Sequence, residues 1–268
     1  MPFLTQGKTS WKFIGIVVVL AVIVGGGIWG WVKIQEFPPV EMEVPEGIIE
    51  DRAEEWACGD NITFTYKGEE VAYGTVESLG KCWMDRNLGA SQPAIAHNDV
   101  EAYGDLFQWG RLDDGHQARI SGSTPILSNS DNPDHGDFIL ALNHNYGWRE
   151  PQNDNLWQGV NGINNPCPDG WRIPTREEWI SELTNWNARN YYGAFASSLK
   201  LTAGGLRHPN TVSLDGVGSY LTYWSSTVSA TKNIYLSLYA EKLVASNELA
   251  GVISYDRAGG CSVRCIKN

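Results

Sequence analysis

Basic charge is scarce in this chain. Its 268 residues hold 20 Lys and Arg against 31 Asp and Glu, a formal net charge of −11 at pH 7. Nucleic acid is bound through basic patches, so this balance argues against such a partner. No two cysteines have C-x-x-C spacing, which removes a zinc ribbon. There is no EF-hand loop and no internal repeat. His97, His116, His135, His144 and His208 are scattered through loop-like sequence with no Ser or Cys partner in motif context. No catalytic constellation is legible, and the chain does not read as an enzyme.

One long apolar run is present. Phe13 to Val32 is 20 residues without a charge. As a helix it would span about 30 Å, the thickness of a bilayer core. Trp11, Trp29 and Trp31 lie near its ends, where indole rings favour the interface. The run is too long for a signal-peptide core and no A-x-A site follows, so an uncleaved anchor is expected. Lys8 and Lys12 precede it and acids dominate after it. The expected order is a cytoplasmic N-terminus (1–12), a transmembrane anchor (13–32), a stalk (33–56) and an outer domain (57–268). The stalk carries Pro38, Pro39, Pro45 and eight acids and buries too little to fold alone.

The outer domain starts as β sequence. Ile62, Phe64 and Tyr66 alternate with polar neighbours, Lys67-Gly68 suits a turn, and Val71–Val76 and Lys81–Asp85 suit further strands. Tyr103, Leu106, Phe107 and Gly110 share one face at helical spacing. Thr175 and Glu178 form a capping box opening a second helix, and Tyr191–Leu199 suits a short third. Residues 112–166 are dense in Asn, Asp, Gly and Pro and read as a loop-rich insertion. Leu221–Ser225, Ile234–Tyr239, Leu243–Ala245 and Cys261–Ile266 return to β.

Five segments, in order, carry a resemblance: Cys82-Trp-Met-Asp-Arg-Asn-Leu88, Tyr103-Gly-Asp-Leu-Phe-Gln-Trp-Gly110, Cys167-Pro-Asp-Gly-Trp-Arg-Ile-Pro-Thr175 with Glu178-Trp179, Tyr223-Trp-Ser-Ser226, and Ser262-Val-Arg-Cys265. They resemble the Fibrobacter succinogenes major paralogous domain family, related to C-type lectins and formylglycine-generating enzymes. The resemblance implies an α+β, C-type lectin-like fold with two main helices and a small twisted, mostly antiparallel sheet. The layout is also similar to the variable proteins of diversity-generating retroelements, whose C-terminal segment forms a ligand-binding face. By that likeness residues 227–257 are the expected face. Its candidate contacts are Thr227, Ser229, Thr231, Asn233, Tyr235, Tyr239, Ser246, Asn247, Tyr255 and Asp256. Tyr, Ser and Asn suit such a face, giving rigid aromatic area and adaptable hydrogen bonds. The expected partner is an external protein or glycan; the alternative is an envelope protein that self-associates.

Five cysteines fit an oxidising exterior. Cys167–Cys265 is the first expected disulfide and Cys58–Cys82 the second, leaving Cys261. A copper pair of Cys261 and Cys265, after the formylglycine-generating enzymes, is disfavoured: on one strand they stand roughly 13 Å apart. Asp131, Asp134 and Asp137, with Asn129 and Asn132, are weak calcium candidates, and no cofactor is otherwise expected. Trp83, Trp109, Trp171, Trp179 and Trp224 read as core. Trp148 and Trp157, in the insertion, are the better candidates for exposed contacts. Arg172 and Arg264 read as buried structural partners.

Overall fold

The computed structural model describes residues 56–142, 146–230 and 239–268. The expected N-terminus, anchor and stalk lie outside the described residues, Trp56 excepted. Among the described residues no helix is long and apolar enough to cross a membrane.

The α+β lectin-like fold with one small sheet is not what this chain adopts. Among the described residues the domain is mostly β, about 30% strand and 9% helix, and its strands fall into five sheets of two to four strands each. Two hairpins open it. β1 (Ile62–Tyr66) pairs antiparallel with β2 (Glu69–Tyr73), Ile62 opposite Tyr73. Lys67 and Gly68 turn the chain with φ of 52° and 79°. Two left-handed residues match the twist of the flanking strands. β3 (Thr75–Ser78) and β4 (Lys81–Met84) repeat the arrangement around Leu79-Gly80.

Short strands from distant parts of the chain fill the middle. β5 (Phe107–Gln108) lies in one four-stranded sheet, while β6 (Ser123–Thr124) and β7 (Phe138–Ile139) pair in parallel. β8 (Trp171–Arg172) precedes two helices, α1 (Arg176–Asn185) and α2 (Tyr191–Ala196). β9 (Leu206–Arg207) and β10 (Leu214–Asp215) form a small hairpin. β11 (Leu221–Val228), β12 (Tyr239–Ala245) and β13 (Ala250–Asp256) make an antiparallel sheet in that order. β14 (Gly260–Cys261) sits between β9 and β5, and β15 (Ile266–Lys267) between β4 and β8. The C-terminus thereby ties the β3–β4 hairpin to β8.

The capping box of α1 is present: Thr175 N donates to Glu178 Oε2 (2.8 Å) and Glu178 N to Thr175 Oγ1 (3.2 Å). No helix forms over 103–110. There the backbone bonds to distant segments, Leu106 N to Gln117 O and Trp109 N to Arg257 O, both 2.9 Å. Gly104 has φ 65°, and a Cβ there would run into Leu88 O. The expected strand Cys261–Ile266 is likewise split into β14 and β15. Its middle bonds to two strands and a loop: Ser262 N to Thr222 O, Met84 N to Cys265 O and Leu88 N to Val263 O.

Two apolar clusters form the core. One gathers Phe107, Trp109, Trp148, Trp157, Trp171 and Trp224; the other packs α1, through Trp179 and Leu183, on Trp83, Tyr223, Leu243 and Ile266. Trp148 and Trp157 are 1% and 0% exposed, so the insertion's tryptophans are core and not surface contacts. Both expected disulfides are present, Cys58–Cys82 and Cys167–Cys265. Arg264 is buried and donates to Asn87 Oδ1, Met84 O (3.1 Å) and Leu199 O (2.8 Å). Asn87 in turn donates to Ala102 O, Tyr103 O and Thr202 Oγ1. Arg172 is held by Glu178 at 2.7 and 2.8 Å. These bonds satisfy groups that would be costly to bury unpaired.

Candidate ligand-binding face

β11 is fixed from three directions. Trp224 Nε1 donates to Phe107 O (2.7 Å), Trp109 Nε1 to Ser225 O (2.9 Å) and Trp179 Nε1 to Trp224 O (3.0 Å). Ser225 Oγ donates to Glu241 O (2.8 Å). Strand alternation then sends Tyr223 and Leu243 toward α1, and Trp224, Ala240 and Tyr255 toward the opposite cluster. The register shifts between Trp224 and Val228, so the far half of β11 is locally irregular.

The candidate contacts do not form one patch. Thr231, Asn233 and Tyr235 lie outside the described residues. Thr227 Oγ1 accepts from Arg176 N (3.0 Å) and so helps to start α1. Ser229 is 7% exposed, with its hydroxyl 3.0 Å from that of Ser254. Ser246 and Asn247 occupy the β12–β13 turn, where Ser246 Oγ accepts from Glu248 N and Asn247 O accepts from Asn190 Nδ2. Tyr239, Tyr255 and Asp256 stand at the other end of the sheet, where Tyr239 pairs with Asp256. Six residue steps separate the two ends, roughly 20 Å at the strand rise. The structure therefore brings together Tyr239, Tyr255 and Asp256 and leaves Ser246 and Asn247 apart.

Other residues complete that end. Tyr146 packs on Tyr239 with ring centroids 5.2 Å apart. Lys242, 1% exposed, places Nζ 3.2 Å from the centre of the Tyr255 ring. Burial lowers the Lys242 pKa, while Cys261 and Asp256 oppose that shift. Burial raises the thiol of Cys261, with Lys242 and Thr222 in hydrogen-bonding reach of it. Burial also pushes the Tyr255 hydroxyl well up. Asp256 is raised to about 6 by burial, with Lys242 and His208 pulling the other way. On the helix side, Ser254 Oγ donates to Glu241 Oε1 (2.8 Å). Lys242 escaped the sequence reading because a lysine in a strand is normally exposed; the unpaired Cys261 was the available hint.

The other candidates fall elsewhere. Cys265 is bonded to Cys167, so Cys261 and Cys265 are not a pair of thiols that could take copper. Asp131 pairs with Arg149 (2.9 Å) and Asn153, Asp134 accepts from Asn132, and the Asp137 carbonyl accepts from Arg111. No group of three metal-ligating side chains forms among the described residues, so the calcium candidates do not converge. His116 is fully buried, accepts from Gln108 N (3.0 Å) and contacts Asp114; burial takes it down to about 4. It is a structural imidazole. Compared with models of protein families, curated proteins and solved structures, the chain matches none.

Proposed function

We propose that this is a recognition protein displayed outside the cytoplasm, binding an external protein or glycan without covalent chemistry. The observation that carries this reading is the Tyr239–Asp256 end of the three-stranded sheet. There, partly exposed aromatic and acidic side chains stand on β12 and β13, which pair in unbroken register beside β11, the strand held by three indole hydrogen bonds. A rigid backbone bearing tyrosines loses little entropy on binding. Two disulfides support an oxidising compartment. The uncharged run 13–32 behind Lys8 and Lys12 supports attachment to a membrane with the domain outside. Diversification of residues 227–257 among sibling genes belongs to the same proposal.

The test applies the full chain, in detergent micelles, to a printed glycan array and to a displayed random-peptide library. Binders are expected to lose at least tenfold in affinity with Tyr239→Ala or Asp256→Ala and to be indifferent to Asn247→Ala. Binders indifferent to Tyr239 and Asp256 would place recognition elsewhere.

A further inference from the structure

A pocket of about 320 Å³ lies where both helices stop. Asn185, the last residue of α1, and Ala196, the last of α2, both line it. Its size falls in the range of small-ligand sites. Its buried wall is Ser78 and Trp186, each 7% exposed. Ser78 Oγ donates to Glu182 Oε2 (2.9 Å), and its own lone pairs remain free to accept. The Trp186 indole N–H is a buried donor without a hydrogen-bond partner among the described residues. Asn185, Asn187 and Ser198 form an exposed rim, and among the described residues their side chains make no hydrogen bond. The loop between the helices is held in place. A Cβ on Gly193 would run into Ala188 O, Asn190 Oδ1 accepts from Gly193 N (3.0 Å), and Asn190 Nδ2 donates to Asn247 O (3.2 Å).

We propose that this pocket binds an uncharged polyhydroxylated molecule, one sugar ring or a polyol of that size. The lining chemistry excludes the other classes. It has no charged side chain, although the chain carries 20 Lys and Arg and 31 Asp and Glu. An anion would find no cation there and would face the carbonyl ends of two helices, which carry partial negative charge. A metal ion would find no carboxylate, and no group of three metal-ligating side chains forms among the described residues. An apolar ligand would leave the Trp186 N–H and the rim amides without partners. A hydroxyl group both donates and accepts. It can accept from Trp186 Nε1 while donating to Ser78 Oγ or to an Asn side-chain carbonyl. The linking loop is tied to Asn247, at the end of the sheet away from Tyr239 and Asp256. The pocket is therefore separate from the proposed face, and either site can fail without the other.

The test uses the full chain in micelles of a phosphocholine detergent, which has no sugar head to compete. Saturation-transfer NMR is run with glucose, galactose, mannose, N-acetylglucosamine, their methyl glycosides and myo-inositol. Glucuronate and glucosamine serve as charged counterparts. A single ring makes few contacts, so a Kd of about 1 mM is expected for at least one uncharged probe, too weak to survive the washes of an array. The charged counterparts should bind at least tenfold more weakly. Equal binding of a free sugar and its methyl glycoside would mean that the pocket also takes the end of a glycan chain; binding of the free sugar alone would mean a soluble ligand. Trp186→Phe keeps the ring and removes only the N–H. It should weaken binding at least tenfold without lowering the melting temperature. Asn187 is exposed, so Asn187→Ala leaves the fold intact and should weaken binding severalfold. Tyr239→Ala should leave binding unchanged. No uncharged probe bound at about 50 mM, tighter binding of glucuronate, or binding indifferent to both Trp186→Phe and Asn187→Ala would overturn the proposal.

Discussion

The insertion 112–166 and the sheet 221–256 are held together by different means. In the sheet, order comes mainly from the backbone ladder, with β11 and β12 buried almost throughout and the more exposed side chains on β13. In the insertion, regular structure is sparse and side chains hold the backbone. Arg111 donates to Gln108 Oε1, Asp114, Asp137 O and His135 O. Trp148 Nε1 donates to Trp109 O (2.6 Å), and Trp157 Nε1 to Asn164 O (2.7 Å) and Arg111 O (3.2 Å). Asn164 Nδ2 reaches Gly110 O and Asp131 O. A segment that composition marks as loop is thus part of the core. The difference teaches that irregular backbone can be rigid when its polar groups are individually satisfied.

The largest expected effect comes from the cross-link that joins the two regions. Cys167 follows the insertion and Cys265 lies beyond the sheet, with a sequence separation of 98. Replacing both by Ala should cost about 4.7 kcal/mol in the chain-entropy model, against about 3.4 kcal/mol for Cys58 and Cys82 with their separation of 24. Urea unfolding of the two double variants checks the order. A smaller loss at Cys167–Cys265 would mean the regions are not coupled through it.

Next comes Trp157→Ala, expected to cost about 3–5 kcal/mol, as for a buried tryptophan elsewhere. A loss below about 1 kcal/mol would return the insertion to the status of an ordinary loop. Asp256 should give a pH signature. Its pKa rises from 3.8 to about 6 on folding, so between those values the folded state holds a proton that the unfolded chain has lost. Its contribution to stability is therefore full below pH 4 and declines as pH rises through 6. Asp256→Asn should flatten that part of the melting-temperature profile and raise the melting temperature at pH 7.5. An unchanged profile would mean that partial burial does not raise Asp256. The smallest effect is expected for Asn247→Ala at the exposed turn, within about 0.5 kcal/mol of wild type.

Much of the local structure was legible because local chemistry decides it. Lys67-Gly68, the Thr175/Glu178 capping box and the Tyr223–Ser226 strand need only near neighbours. The two disulfides were expected because Cys167 and Cys265 bracket the core motifs of the resemblance and Cys58 and Cys82 flank the first hairpin, and both are present. What was not legible depends on distant partners. The 103–110 segment has helical spacing, yet its backbone bonds to residues 117 and 257. Trp148 and Trp157 sit among loop formers, and only Arg111, Trp109 and Asn164 show that they are enclosed. The proposed face was legible in part: Tyr239, Tyr255 and Asp256 share one end of the sheet. Thr227 and Ser246 are polar for reasons internal to the fold, capping a helix and closing a turn.

The most direct measurement is hydroxyl-radical footprinting of the full chain with and without a ligand selected from the glycan array or the peptide library. Tyr239 and Tyr255 should become protected on binding, while Trp148 and Trp157 stay unmodified in both states. Unchanged labelling of Tyr239 and Tyr255 with ligand bound would contradict the account.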